Sequence, residues 1–247
     1  MKLILVFGIL LLGASCSTKS IGTQHTSSAS SLLDKKQQNI ITISALTAKG
    51  DLVQLQKVFN DGLDAGLTVN QIKEVLVHLY AYCGFPRSIR GLQTFMEVLN
   101  NRRAKGINDV TGKEASTIKE ERSKYERGKE ILGKLTGITQ SSSQTGYSAF
   151  APVMDTFLKE HLFADIFERD VLTYAERELV TVSVLSSIGG AEPMLRSHLQ
   201  ICLNVGFTPE QLMSFVSVIQ STIGEQQAKA AKTVLDELIK SSSSKYN

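Results

Sequence analysis

Gly66-Leu67-Thr68-Val69-Asn70-Gln71-Ile72 returns 140 residues later as Gly206-Phe207-Thr208-Pro209-Glu210-Gln211-Leu212. In each copy a Thr stands three residues before a Gln. At that spacing the hydroxyl caps a helix N-terminus while the Gln amide reaches back to the cap. The Gly just upstream suits the end of a preceding helix. Pro209 falls in the first helical turn, where its missing N–H costs nothing. The apolar positions behind the caps repeat as well. Ile72, Val75, Leu76 and Leu79 match Leu212, Phe215, Val216 and Ile219, a helical stripe in both.

Working outward, Ile41-Thr42-Ile43-Ser44-Ala45-Leu46 matches Val180-Thr181-Val182-Ser183-Val184-Leu185 at an offset of 139, so one insertion separates the two matched blocks. Each unit reads helix, break, helix, Gly, capped helix. Agreement of stripe, cap and Gly over about 45 residues favours duplication over chance likeness between amphipathic helices. Two copies are too few for a solenoid, so the expected product is one all-α fold with two pseudo-equivalent halves. The units are placed at 37–100 and 147–240. Between them, 101–146 reads as a charged, solvated connector whose mixed signs call for no partner. The tail is 241–247.

The 247 residues are 42% hydrophobic and 21% charged, with four Pro, which suits a helical globular chain. A net charge of +3 gives no basic field for nucleic acid, and the absence of Trp argues against a base-stacking platform. Four His and three Cys exclude a disulfide scaffold and a Cys-rich zinc module.

The N-terminus reads as an export signal. Lys2 precedes the apolar run Leu3 to Leu12, and Gly13-Ala14-Ser15 leads to Cys16. Ten residues are too few for a permanent span. The small triplet ending at a Cys resembles a bacterial lipobox, with Gly13 where Leu is usual. The expectation is a signal over 1–16, lipidation of Cys16, and a cell-envelope location facing the periplasm or on the outer membrane. The Ser/Thr/Lys-rich 17–36 would be a flexible tether.

Further stretches carry a resemblance. They are Phe157 to Phe167, Arg177-Glu178-Leu179-Val180-Thr181, Glu192 to His198 and Asn204 to Thr208, together with Glu74 to Arg87 in the first unit. With these the chain resembles the carboxymuconolactone decarboxylase family over most of its mature length. The resemblance implies an all-α fold, trimeric or hexameric assembly, no metal or organic cofactor, and a lyase acting on a small carboxylated lactone or keto acid. The related alkyl hydroperoxidase D branch uses Cys-x-x-Cys followed by His. Here that stretch is Ala191-Glu192-Pro193-Met194, with His198 retained, so a dithiol peroxidase is disfavoured.

Glu74, His78 and Tyr82 fall on one helix face at i, i+4, i+8. A carboxylate one turn from an imidazole holds its tautomer and raises its basicity, and Tyr82 is placed to donate to a substrate oxygen. The same spacing also suits a plain polar face. Gly84-Phe85-Pro86 should end that helix and aim Arg87 at a carboxylate, or leave it as a solvated C-terminal charge. In the second unit, Glu178 reaches His198 if their helices pack antiparallel. The alternatives are an ion pair of Glu178 with Arg177 or Arg196, and a core role for His198. Arg196 is a second anion-binding candidate, and His161 is read as structural or exposed. His198 falls opposite Val58 and His78 opposite Val218. Each unit thus keeps a polar set that the other lacks, which points to one composite site. A membrane-tethered binding or assembly protein is the non-enzymatic alternative, and a thiol redox protein using Cys83 or Cys202 is the third.

Overall fold

The computed structural model describes residues 32–140 and 144–243. The expected signal and Cys16 lie outside them, as does most of the expected tether. The described residues form helices without strands: α1 (Lys35–Lys49), α2 (Leu52–Asp64), α3 (Val69–Ala104), α4 (Lys124–Thr136), the short α5 (Tyr147–Phe150) and α6 (Pro152–Thr156), a π-helix (Phe157–Ile166), α7 (Tyr174–Ile188), α8 (Glu192–Asn204), α9 (Pro209–Ile223) and α10 (Glu225–Ser243).

The caps read from the repeat are built alike. Thr68 Oγ1 accepts from the Gln71 N–H at 3.2 Å, and the Thr68 N–H donates to Gln71 Oε1 at 3.0 Å. The Thr208–Gln211 pair has the same two distances. Asp34 with Gln37 and Thr173 with Glu176 make the matching boxes at the starts of α1 and α7. These two helices are the heart of the fold. They pack on each other, and eight consecutive-turn positions of α1 and eleven of α7 are buried. Their small Ser and Thr side chains fold back on the preceding turn. Ser44, Thr47, Ser183 and Ser187 each donate to the carbonyl four residues earlier, so a polar residue enters the core with its hydrogen satisfied.

The duplication extends beyond the quoted blocks. Gly84 breaks α3 with φ 81° and ψ 161°, and Gly224 separates α9 from α10 with φ 104° and ψ 173°. α3 is therefore the first unit's version of α9 plus α10. The first helical segment ends at Gly84, as the Gly84-Phe85-Pro86 run led one to expect, but the helical path does not end there. It changes direction and resumes, because Pro86 sits in the first turn of the new segment, where no N–H is needed. Buried Ser88, Gly91, Phe95 and Val98 then correspond to buried Ala228, Ala231, Leu235 and Leu238.

The segment read as a solvated connector is more structured than its charges suggest. Residues 105–123 form an irregular strap over the start of α3. There the Val69 and Asn70 N–H groups donate to the carbonyls of Val110 and Thr111. Buried Arg102 clasps the strap through Asp109 at 3.0 Å, and it also reaches Asp64 at 2.8 Å. α4 then lays Ile131 and Leu135 against Leu162, Phe163, Ile166 and Phe167, a second small core beside the main one. Gly128 permits that approach, since a Cβ there would stand 1.8 Å from the Lys159 carbonyl oxygen.

Candidate functional site

The polar cluster lies where α3 of the first unit meets α7 and α8 of the second. α7 brings Arg177 and Glu178 into the interior one turn after its Thr173 cap, and both have 0% exposure. The residues they meet come from different units.

Glu74 does not orient His78, as the i, i+4 spacing suggested. Its carboxylate is held by two arginines, Arg169 in a two-pronged contact at 2.9 Å and Arg177 at 2.7 Å. A buried carboxylate needs such partners, and two guanidinium groups satisfy both of its oxygens. Neither Arg169 nor Arg177 was picked out for this role from sequence.

His78 is sealed. Arg177 Nη1 donates to its Nδ1 at 3.1 Å, and its Nε2 lies 2.9 Å from Thr181 Oγ1, which itself donates to the Arg177 carbonyl at 3.0 Å. Arginine has no acceptor, so Nδ1 must be bare and the proton must sit on Nε2. Burial, then the positive charge of Arg177, holds the His78 pKa well below the usual histidine value. With 0% exposure and both nitrogens engaged, His78 is a neutral structural imidazole; the expectation that it donates to a substrate does not fit.

Glu178 and His198 meet as the antiparallel packing of α7 and α8 would have them. Glu178 Oε2 is 2.8 Å from His198 Nδ1, and the turn between them is the Gly189-Gly190 break followed by Pro193 in the first turn of α8. Glu178 is fully buried, whereas the His198 side chain keeps 14% exposure. The carboxylate thus fixes a proton on Nδ1 and turns Nε2 towards the accessible side. Tyr82 stands edge-on to His198, with ring centroids 5.8 Å apart at 84°, and lies 5.6 Å from the His78 ring. Its hydroxyl, Glu178 Oε1 and Arg177 Nε are buried without a hydrogen-bond partner, three exceptions within the cluster. Burial, reinforced by the charge of Glu178, pushes the Tyr82 phenol upward, so it is held as a protonated donor.

The two proposed anion binders lie elsewhere. Arg87 is exposed and rests on Gly50 at the end of α1, while Arg196 donates to Ser241 at 2.9 Å across to α10. Position 196 faces away from 198 on the helix, so one side chain cannot serve the other's site. His161 is half exposed and pairs with Asp165 at 3.0 Å. Cys83 and Cys202 are both free thiols, and burial raises both, Cys83 to about 11. Such thiols are poor nucleophiles, which is the reverse of what the redox alternative requires. Among the described residues no group of three or more His, Cys, Asp or Glu is arranged for a metal ion, and no helix is long and apolar enough to cross a membrane.

Comparison with known proteins adds three findings. A family model for the carboxymuconolactone decarboxylase family matches residues 23–95 and 152–237, which include Glu74, His78, Tyr82, Arg169, Arg177, Glu178 and His198. The 4-carboxymuconolactone decarboxylase of Acinetobacter baylyi is 26% identical over 118 residues, 47% of this chain and 87% of that protein. An uncharacterised protein of Methanocaldococcus jannaschii is 24% identical over 70 residues, 28% of this chain and 65% of that protein.

Proposed function

This chain belongs to the carboxymuconolactone decarboxylase family, and on that premise we propose that it is a cofactor-free carboxy-lyase acting on a small carboxylated lactone or keto acid. The observation that carries the reading is the contact between buried Glu178 and accessible His198 at 2.8 Å, with the Tyr82 hydroxyl unpartnered beside it. In such a reaction the bond to the carboxylate carbon breaks and carbon dioxide leaves. Its electron pair passes into the conjugated carbonyl, and a proton must then be delivered to carbon. Donors fixed in advance around the carbonyl oxygen lower the barrier. The doubly protonated His198, its Nδ1–H held by Glu178, delivers its Nε2 proton to carbon and is reprotonated from solvent, and Tyr82 is the donor to the developing oxyanion. Arg177, Glu74 and His78 form the buried network beneath the site, with the His78 ring beside Tyr82.

The test is release of carbon dioxide from 4-carboxymuconolactone and related lactones and keto acids, by wild type, His198→Ala and Glu178→Gln, each checked for folding. Turnover by wild type that falls at least a hundredfold in both variants supports the reading. A panel that wild type leaves untouched rejects it in favour of a non-catalytic binding or assembly protein, and turnover indifferent to both changes rejects the Glu178–His198 site.

The N-terminal reading belongs to the same proposal. Lipidation at Cys16 would tether the chain to an envelope membrane, and metabolic labelling with an alkyne fatty acid should be lost in Cys16→Ala. A trimer or hexamer is the expected assembly, read by light scattering on the purified chain.

A further inference from the structure

The two units differ sharply where their sequence offset changes. In the first, Arg87 lays its guanidinium over Gly50, so close that a Cβ there would lie 1.6 Å from Nη1. Gly50 itself closes α1 by donating its N–H to the carbonyls of Leu46 and Thr47. The arginine therefore sits against a helix C-terminus, where positive charge is favoured.

At the offset of 139 that relates α1 to α7, Gly50 becomes Gly189, and at the offset of 140 Arg87 becomes Gln227. A Cβ on Gly189 or Gly190 would meet nothing within 4 Å. Where the first unit has its guanidinium, the second has a cavity of about 310 Å³, lined among others by Ser186, Ser187, Gly190, Glu192 and Gln227. The structural equivalence is secure on both walls: Gly91 packs against Thr47 in the first unit, and their counterparts Ala231 and Ser186 both line the cavity in the second.

The lining is rich in acceptors. Ser186 and Ser187 donate their hydroxyl protons to the carbonyls of Val182 and Ser183, so what they offer outward is lone pairs. The Gly190 N–H is directed to the Glu192 carboxylate at 3.2 Å. Gly189, with ψ 162°, does not adopt the conformation that caps α1. Among the described residues no backbone N–H after Ile188 returns to the last turn of α7. The last turn of α7, Glu192 and Gln227 thus line one small space, with exposed Lys49 of the first unit as the cation on its wall.

We propose that this cavity binds a guanidinium group brought by a ligand, in the position that the first unit fills with its own Arg87. It is separate from the Glu178–His198 site and stands independently of the lyase reading. The guanidinium has two possible sources, a small alkylguanidine or the arginine side chain of a peptide.

The purified full chain is titrated with agmatine, with acetyl-arginine amide and with tetramethylammonium at matched ionic strength, following Tm and the amide resonances of Gly189 and Gly190. Expected are a saturable rise in Tm with the two guanidines, half-saturation on the order of millimolar, resonance shifts centred on the two glycines, and no response to tetramethylammonium, which has no N–H to donate. Gln227→Arg, which supplies the missing group from within, should raise Tm without ligand and abolish the response. Tighter binding of acetyl-arginine amide assigns the site to a peptide arginine, and tighter binding of agmatine to a small guanidine. A response that does not saturate, that survives unchanged in Gln227→Arg, or that leaves the two glycine resonances in place overturns the proposal, as does no response at all.

Discussion

His78 and His198 are each unmatched in the other copy of the repeat, where valine stands in their place. Their surroundings nevertheless give them opposite fates. His78 has a guanidinium on one nitrogen and a hydroxyl on the other, and no exposure. His198 has a carboxylate on Nδ1 and its other nitrogen turned towards the accessible side. The difference teaches that a histidine becomes a reagent by having one nitrogen held and one left over, and that a histidine with both held is part of the scaffold. The two units have divided these tasks: the first lends a structural histidine and Tyr82, while the second supplies the charged pair and the accessible imidazole.

The comparison breaks most readily at Arg177. Arg177→Met leaves Glu74 with one partner and His78 Nδ1 with none, so a loss of about 3–5 kcal/mol is expected in urea unfolding. A loss below about 1 kcal/mol would mean that the network does not hold the scaffold. Next comes the contrast in activity on whichever lactone or keto acid proves to be a substrate. His198→Ala should lower kcat about 10²–10⁴-fold, the usual worth of an acid–base group, with the fold retained. His78→Gln should keep kcat within a few fold, because its amide offers one donor and one acceptor at similar reach.

Acid stability sharpens the contrast further. The folded pKa of His78 lies below its unfolded value of about 6.5. The unfolded chain therefore binds the extra proton as pH drops, and the stability present above about 6.5 is lost progressively below it. The slope from this one group approaches about 1.4 kcal/mol per pH unit. His78→Gln should flatten the unfolding free energy between pH 6.5 and about 5, and an unchanged slope would place the titration elsewhere. The smallest effect concerns the thiols. With Cys83 pushed up to about 11, about one thiol in a thousand is ionised at pH 8, so alkylation of Cys83 and Cys202 in the native protein should be far slower than in urea. Rapid native labelling would reopen the redox alternative.

Much of the fold was legible in the sequence because its signals are local. Two Thr–Gln caps, their Gly stops and the helical stripes need no knowledge of partners, and all recur in the structure. The contact of Glu178 with His198 was also within reach, since Gly189-Gly190 and Pro193 mark a tight reversal. Arg177 and Arg169 were not, because nothing local distinguishes an arginine that will be buried against a carboxylate about a hundred residues away. Glu74 misled for the same reason: its spacing from His78 is right for a helix pair, but two guanidinium groups outcompete a neutral imidazole for a buried carboxylate. The strap at 105–123 was hidden by its charges, which look solvated until Asp109 meets Arg102. No pattern announced the π-helix either.

The most direct test of the division between the two histidines needs no substrate. Long-range ¹H–¹⁵N spectra of the imidazoles, assigned with His78→Gln and His198→Ala, report which nitrogen carries the proton. The account predicts His78 as the neutral Nε2–H form at pH 7, unchanged on acidification to pH 6, and His198 with its proton on Nδ1. A His78 that carries its proton on Nδ1, or that becomes doubly protonated by pH 6, would contradict it.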